Sequence, residues 1–200
     1  MMTMKTLLSA ALLCLAGSVA ANPQIGEPAP AFSGLDSDGG TQTLADYRGK
    51  PVILEWTNHD CPYVRKHYGS GNMQALQREA AAEGVVWLSI ISSAPGKQGH
   101  VTADEANALT RDRNAAPHAV ILDESGDIGR LYAARTTPHM YLVDRDGTLV
   151  YMGGIDSIPS SSPDDIARAQ LYVQQAMTQL LAGEAIGQAV TRPYGCSVKY

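Results

Sequence analysis

The sequence has few of the residues that would make it a disulfide-rich or a nucleic-acid-binding protein. Only three of its 200 residues are cysteine, which are Cys14, Cys61 and Cys196, so a framework of several disulfides is excluded. The net charge is −5 and no basic cluster exceeds Arg65-Lys66, so a nucleic-acid surface has no electrostatic support. The hydrophobic content of 44% is enough for one domain with its own core.

After the N-terminal segment, no apolar run is long enough to span a membrane, and the apolar run near the N-terminus is also too short to do so. Residues 7–19 are apolar, follow Lys5 and precede the small residues Ala20-Ala21. This pattern predicts a signal peptide over residues 1–21, and an uncleaved N-terminal anchor is the alternative. We therefore expect an exported protein, periplasmic or secreted, with no stable membrane span after cleavage.

Strands and helices alternate through residues 22–183, which we predict to be one domain followed by a polar tail over 184–200. The runs 51–56 and 85–91 are almost continuously apolar, as in central strands covered on both faces. The other predicted elements are hairpins over 31–44 and 140–151, a strand over 119–122, and helices over 63–82, 102–114, 127–134 and 163–182. This order predicts a sheet with a parallel centre and an antiparallel edge.

Cys61 lies where the first apolar strand gives way to a helix, and Pro62 suits the first helical position. A helix N-terminus offers unpaired N–H donors and positive dipole charge, and both stabilise a thiolate. Protonated Lys66 and His67, with Arg65 and His59, would add positive charge nearby. We therefore predict that Cys61 is a nucleophile, with a buried and inert thiol as the alternative.

Cys196 is the second cysteine that remains once the predicted signal peptide is removed. We predict that it is the resolving thiol for Cys61, which requires the tail to return to the active-site end of the sheet. A purely structural disulfide, a free tail thiol and a disulfide between subunits are the alternatives.

The order of these features over residues 25–183 resembles the thioredoxin fold. The segments 61–68, 135–141 and 194–200 resemble an exported subgroup of its peroxiredoxin-like branch, the alkyl hydroperoxide reductase and thiol-specific antioxidant ("redoxin") family. The resemblance implies an α/β fold of the thioredoxin-like class, with a mixed central sheet flanked by helices and an N-terminal hairpin extension. It also implies that Pro138 is cis and lies against Cys61.

The resemblance also implies roles for other residues. Glu55 matches a buried acid that accepts a proton during disulfide exchange, although an edge-facing or paired carboxylate is equally compatible with the sequence. The backbone of Thr137, beside Pro138, would pair with a substrate chain. His59 would tune Cys61, and Trp56 is either a substrate platform or, more simply, a core residue.

The sequence departs from the family pattern at three places. Val64 stands where thioredoxins carry the second cysteine of Cys-x-x-Cys, so a disulfide within the helix turn is impossible. Asn58 replaces the threonine that orients a peroxide, and Pro138 takes the place of an arginine beside the sulfur, with Arg135 as the nearest substitute. Both of the latter differences argue against fast peroxide reduction.

We therefore predict a thiol-dependent oxidoreductase without a cofactor. Its substrate would be a peroxide or an oxidised protein, and an external thiol, either a thioredoxin-like protein or a small thiol, would reduce it again. An alternative is a copper-binding or copper-delivery protein that uses Cys61 and Cys196 with a histidine, which would be His59, His67 or His139. The simpler interpretation of the histidines is that His59 tunes Cys61 and that His67 is solvated. A third possibility is an inert scaffold or a sensor in which the Cys61–Cys196 disulfide only holds the tail in place.

Overall fold

A computed structural model describes residues 22–200, and the predicted signal peptide over 1–21 lies outside the described residues. The strands are β1 (Ser33–Leu35), β2 (Thr41–Thr43), β3 (Val52–Trp56), β4 (Val86–Ile91), β5 (Ala119–Leu122), β6 (Thr136–Thr137), β7 (His139–Val143), β8 (Leu149–Gly153) and β9 (Cys196–Ser197). The helices are α1 (Pro62–Gly69), α2 (Asn72–Ala82), α3 (Ala103–Asp112), α4 (Asp127–Leu131) and α5 (Tyr172–Leu181), with 3-10 turns over Leu44–Tyr47 and Pro163–Arg168.

Five strands form the central sheet in the order β5-β4-β3-β7-β8. β3 and β4 are parallel, as are β4 and β5, whereas β7 pairs antiparallel with β3 and β8. The parallel centre and antiparallel edge predicted from the sequence are thus confirmed. β1 and β2 form the expected N-terminal hairpin as a separate ladder. Every residue of β3, β4 and β7 is buried, which explains their continuous apolar runs.

Two hydrophobic clusters lie on the two faces of this sheet. One includes Leu54, Trp56 and Tyr132, and the other includes Ile53 together with α2 and α5 residues such as Met73 and Met177. The alternation of side chains along β3 therefore supplies both clusters from one strand. Within residues 22–200, no helix has the length and apolar character needed to cross a membrane.

Two predicted helices differ from the observed ones. The helix predicted over 63–82 is two helices, because the chain turns at Gly71, whose φ of +78° is left-handed. The long helix predicted over 163–182 is wrong: its first part is the 3-10 turn and only α5 is α-helical. The two parts separate because the backbones of Ser157 and Gln170 pair, which closes the chain into a loop before α5 begins.

The start of α3 follows the sequence pattern closely. The Thr102 hydroxyl accepts a hydrogen bond from the Glu105 N–H, and the Glu105 carboxylate accepts one from the Thr102 N–H. This reciprocal cap satisfies two donors that a helix start leaves without partners. Thr102 and Glu105 thus form a capping box with the regular spacing of three residues.

Candidate active site

Cys61 lies at the N-terminal cap of α1, just beyond the carboxyl end of β3. Its backbone N–H donates to the Asn58 carbonyl at 3.1 Å, and its carbonyl accepts the first helical hydrogen bond, from the Arg65 N–H, at 2.9 Å. Pro62 occupies the first helical position, as the sequence indicated. The side chain of Cys61 is completely buried, with 0% exposure. A substrate therefore reaches this sulfur only if something above it moves.

The C-terminal tail covers Cys61. β9 pairs antiparallel with β6, so that Thr137 lies opposite Cys196. The Cys196 N–H donates to the Cys61 Sγ at 3.4 Å, and the Cys61 thiol donates to the Thr137 carbonyl at 3.2 Å. The Thr137–Pro138 peptide bond is cis, as the resemblance implied. The tail therefore returns to the active-site end of the sheet. It pairs with the backbone of Thr137, where the resemblance implied that a substrate chain would pair.

The two cysteines of residues 22–200 are both free thiols, and their environments separate their pKa values. Burial alone would raise the pKa of Cys61, but hydrogen bonding from the Cys196 side chain and the amides of Val64 and Cys196 outweighs burial and lowers that pKa. The Val64 N–H faces the sulfur without closing a complete capping hydrogen bond. Burial, the hydrogen bond with Cys61 and the charge of Cys61 raise the pKa of Cys196 to about 11. Cys61 is thus the more easily ionised of the two thiols.

The positive charges expected around Cys61 have other partners. Arg65 is exposed and pairs with Asp60 at 3.1 Å. Lys66 is buried and pairs with Asp156 at 2.9 Å. The expectation that His67 is solvated is wrong, because its side chain is completely buried. Burial lowers the pKa of His67 to about 4, with Lys66 acting in the same direction and Asp156 in the opposite one. The hydrogen bonds at the helix start and from the tail, rather than nearby cations, therefore favour the Cys61 thiolate.

A buried polar network that the sequence analysis missed joins α1 to the tail. The Lys66 Nζ donates to the Asp156 carboxylate at 2.9 Å, to the Tyr194 hydroxyl at 3.2 Å and to the Ile158 carbonyl at 3.1 Å. The Tyr194 hydroxyl donates to the other Asp156 oxygen, and the His67 Nε2 lies 3.3 Å from the same hydroxyl. The sequence contains one signal that His67 is buried. Val64 is apolar, and His67, three residues later, lies on the same face of the helix.

The comparisons with known proteins agree with this geometry. The AhpC/TSA family profile matches residues 25–152. The chain belongs to the AhpC/TSA family. This membership and the sheet topology confirm the predicted redoxin family and thioredoxin-like fold, and the oxidoreductase class expected from the sequence follows from the family.

Solved structures that resemble this AhpC/TSA-family chain share its fold at low sequence identity. An uncharacterised conserved protein from Geobacillus kaustophilus is 22% identical, with a TM-score of 0.74 over 88% of this chain and 92% of that one. A hypothetical protein from Sinorhizobium meliloti is 21% identical, with a TM-score of 0.75 over 90% and 96%. A Chlorobium tepidum protein assigned as a thiol:disulfide interchange protein DsbE is 21% identical, with a TM-score of 0.59 over 80% and 99%. No curated protein matches the chain.

The departures from the AhpC/TSA pattern have visible structural roles. The Asn58 side chain shapes the loop before Cys61: its Oδ1 accepts from the Asp60 N–H at 2.9 Å, and its Nδ2 donates to the Gln98 carbonyl at 3.2 Å. The Arg135 side chain is exposed, and its backbone carbonyl accepts from the Val198 N–H of the tail. Where the family pattern has side chains that contact a peroxide, the Asn58 side chain and the Arg135 carbonyl therefore make hydrogen bonds with the backbone of other residues.

Glu55 of this AhpC/TSA-family chain lies in β3 and is completely buried, as the sequence indicated. Its carboxylate accepts hydrogen bonds from the Tyr68 hydroxyl, the Trp87 Nε1 at 2.9 Å and the Ser89 hydroxyl at 2.8 Å. The Gln77 Nε2 lies 3.5 Å away and is a fourth, weaker donor. Donors therefore face both oxygens of the carboxylate, so its hydrogen-bonding capacity is satisfied within the fold. This arrangement supports a paired structural carboxylate and leaves the proton-accepting role a prediction.

The other predicted site residues lie in different surroundings. Trp56 is completely buried, and its Nε1 donates to the Ser92 hydroxyl at 3.0 Å, which supports the core role and leaves the role of substrate platform a prediction. His59 is half-buried beside Asp60, and burial lowers its pKa. Pro138 and His139 are both buried, with the His139 ring against Tyr141.

The histidines considered as copper ligands have separate partners in this AhpC/TSA-family chain. His67 belongs to the network with Asp156, and the His139 Nδ1 accepts from the Arg135 N–H at 3.3 Å. Among residues 22–200, no group of three or more His, Cys, Asp or Glu side chains has the geometry of a metal site.

Proposed function

We propose that this AhpC/TSA-family protein is an exported thiol-disulfide oxidoreductase in which Cys61 is the nucleophile and Cys196 the resolving thiol. The observation that carries the proposal is the hydrogen bond of 3.4 Å from the Cys196 N–H to the Cys61 Sγ, between two cysteines that are both free thiols. The lowered pKa of Cys61 and the raised pKa of Cys196 support this division of roles. The leader-like segment 1–21 supports export.

The proposed reaction proceeds in two exchanges. The Cys61 thiolate attacks one sulfur of a substrate disulfide, forms a mixed disulfide and releases the other substrate sulfur as a thiolate, which takes up a proton. Cys196 loses its proton and attacks the Cys61 sulfur, which releases the second substrate thiol and leaves a Cys61–Cys196 disulfide. An external dithiol then reduces that disulfide and is itself oxidised, and this restores both thiols.

A protein disulfide is the substrate that the geometry favours over a peroxide. The Thr136–Thr137 edge beside Cys61 already pairs with an extended chain, because β9 occupies it. A peroxide site would need side-chain donors beside the sulfur that bind the peroxide oxygens, yet Asn58 is engaged with the loop backbone and Pro138 offers no donor. Exchange with an extended polypeptide therefore makes better use of the groups around Cys61.

Equilibration with glutathione buffers tests the proposal. Protein incubated with defined ratios of reduced and oxidised glutathione is quenched with acid, and its Cys61–Cys196 disulfide is quantified by mass spectrometry. We expect an intramolecular disulfide in the wild-type protein, and a Cys61–glutathione mixed disulfide that accumulates in Cys196→Ser. We also expect hydrogen peroxide to oxidise Cys61 no faster than it oxidises a free cysteine. A wild-type protein that forms no Cys61–Cys196 disulfide at any ratio would contradict the mechanism.

A further inference from the structure

Two tyrosines fix the tail on either side of Cys196. Tyr194 lies two residues before this cysteine and is buried, with 9% exposure. Tyr200 lies four residues after it and is only half-buried. Because Cys61 has no exposed surface, the chain between these tyrosines must shift before a substrate disulfide reaches the sulfur. The strength of each attachment therefore decides how the site opens.

The attachment at Tyr194 is buried and involves charge. The Tyr194 hydroxyl lies within the network of Lys66, His67 and Asp156, where both Lys66 and Asp156 have completely buried side chains. The Lys66 ammonium also lies 5.4 Å from the centre of the Tyr194 ring. Removing Tyr194 from this network would leave a buried ion pair short of a hydrogen-bond partner, which is far more costly than losing an exposed contact.

The attachment at Tyr200 is weaker and partly solvated. The Tyr200 hydroxyl donates one hydrogen bond, to the Ala134 carbonyl, at 2.7 Å. The Arg130 guanidinium lies over the ring, 4.6 Å from its centre, and Arg130 itself is exposed. Two backbone hydrogen bonds also hold this end, from the Ala94 N–H to the Lys199 carbonyl and from the Val198 N–H to the Arg135 carbonyl. Contacts of this kind contribute little when water can replace them.

We propose that Lys66, His67 and Asp156 are positioning residues that hold Tyr194 in a buried latch, which keeps Cys196 beside Cys61 while the outer end of the tail opens at Tyr200. The proposal rests on the proposed function and extends it from the two cysteines to the residues that keep them together. The latch joins α1, whose N-cap residue is Cys61, to the tail that carries Cys196, so it holds the two segments that carry the cysteines against each other.

Three Tyr→Phe substitutions test the latch, because each removes a hydroxyl and leaves the ring. Tyr194→Phe removes the latch contact, Tyr200→Phe removes the outer contact, and Tyr63→Phe is the matched control, since its ring packs against Tyr194 at 5.8 Å. Two quantities are measured: the equilibrium constant for forming the Cys61–Cys196 disulfide against glutathione, and the rate at which iodoacetamide alkylates Cys61, read by peptide mass spectrometry. Circular dichroism and thermal melting check folding.

We expect Tyr194→Phe to lower the equilibrium constant for the disulfide by about tenfold or more and to speed the alkylation of Cys61, since a lost hydrogen bond to a buried charged group is worth at least a factor of ten. Tyr200→Phe should speed alkylation severalfold and leave the equilibrium constant within about twofold of wild type. Tyr63→Phe should change neither quantity. If Tyr194→Phe does not fold, Asp156→Asn makes the same test from the other side of the network.

The latch is refuted if Tyr194→Phe, or Asp156→Asn in its place, keeps the wild-type equilibrium constant, or if Tyr200→Phe lowers that constant as much. A wild-type protein that forms no Cys61–Cys196 disulfide contradicts the proposed function instead. In that event the alkylation rates still decide whether Tyr194 holds the tail over Cys61: a faster rate in Tyr194→Phe supports the latch, and an unchanged rate overturns it.

Discussion

At the scale of single residues, the two thiols differ because they receive different contacts. The Cys61 sulfur accepts from the Cys196 N–H and faces the Val64 amide at the start of α1, and both contacts lower the pKa of Cys61. The pKa of Cys196 is raised by its own burial and by the neighbouring Cys61 sulfur. The helix start is readable in the sequence, because a strand, Cys61 and Pro62 follow one another. The contribution of the tail is not readable, because residue 196 is brought to residue 61 only by the tertiary fold.

Glu55 provides a prediction at the same scale. Glu55→Gln replaces an acceptor by a group that is half donor, so at least one of the buried donors on Tyr68, Trp87 and Ser89 loses its partner. We expect the free energy of unfolding in urea to fall by about 2 kcal/mol. Glu83→Gln is the matched control, since Glu83 is exposed at the end of α2.

Equal stability of Glu55→Gln and wild type would contradict the structural role of this carboxylate. The predicted proton-accepting role has a separate measurement, which is the pH profile for reduction of the Cys61–Cys196 disulfide by dithiothreitol. A profile that loses a titration in Glu55→Gln would support proton transfer. An unchanged profile would leave Glu55 with its structural role alone.

At the scale of elements, the short pairing of β6 with β9 decides the state of the site. Each strand has two residues, yet the pair brings Cys196 opposite Thr137 and covers Cys61. Two-residue strands have no periodicity to detect, so the sequence predicted an irregular tail. The long apolar runs of β3 and β4, by contrast, were predicted almost to the residue.

Errors in predicted elements also had local physical causes. The residues of 163–182 are compatible with one helix, and the interruption comes from backbone pairing between Ser157 and Gln170, two residues far apart in sequence. Likewise, Lys66 was expected to act on Cys61, and His67 to act on it or to be solvated, because the sequence does not reveal that Asp156 and Tyr194 are buried against them. Contacts between distant segments account for both errors.

Gly195 provides a prediction at the scale of elements. Its φ is +138°, and a Cβ added there would collide with the Thr137 carbonyl oxygen, which is backbone and cannot yield easily. We expect Gly195→Ala to separate β9 from β6, to speed the alkylation of Cys61 severalfold, and to move the pKa of Cys61 up towards that of an ordinary thiol. The measurement is the alkylation rate as a function of pH.

Gly187→Ala is the matched control for this substitution, because Gly187 is exposed and a Cβ there meets only the end of the Gln179 side chain. The control should behave as wild type in both rate and pH profile. If Gly195→Ala gave the same profile as Gly187→Ala, the pairing of β9 with β6 would not be what covers Cys61.

At the scale of the whole molecule, the tail connects the two faces of the sheet. Tyr194 packs within the cluster that contains α2 and α5, whereas Val198 packs against the cluster on the opposite face. Cys196 lies between these two residues at the edge of the sheet. Cys196, the proposed resolving cysteine, is therefore carried by a segment that both cores help to hold, and a disturbance of either core should alter how readily Cys61 is exposed.

The two most deeply buried histidines should make the stability of the whole molecule depend on pH. Burial, aided by the charge of Arg135, lowers the pKa of His139 to about 3, and burial lowers that of His67 to about 4. In the unfolded chain both would titrate near 6.5, so between these values the unfolded state binds more protons than the folded one. The stability that these neutral rings provide is complete above pH 6.5 and is lost as the pH falls.

We therefore expect the free energy of unfolding to fall between pH 6.5 and 4, with a slope of up to about 1.4 kcal/mol per pH unit for each histidine. The measurement is urea unfolding at a series of pH values in this window, with the slopes compared between pH 6.5 and about 5, where most carboxylates remain ionised. His139→Asn removes one titrating group and should reduce the slope, even if it also lowers the stability at pH 7. The exposed charge substitution Glu83→Gln should leave the slope unchanged. A free energy of unfolding that stayed constant from pH 6.5 to 4 would mean that both rings accept protons in the folded protein as readily as in the unfolded chain.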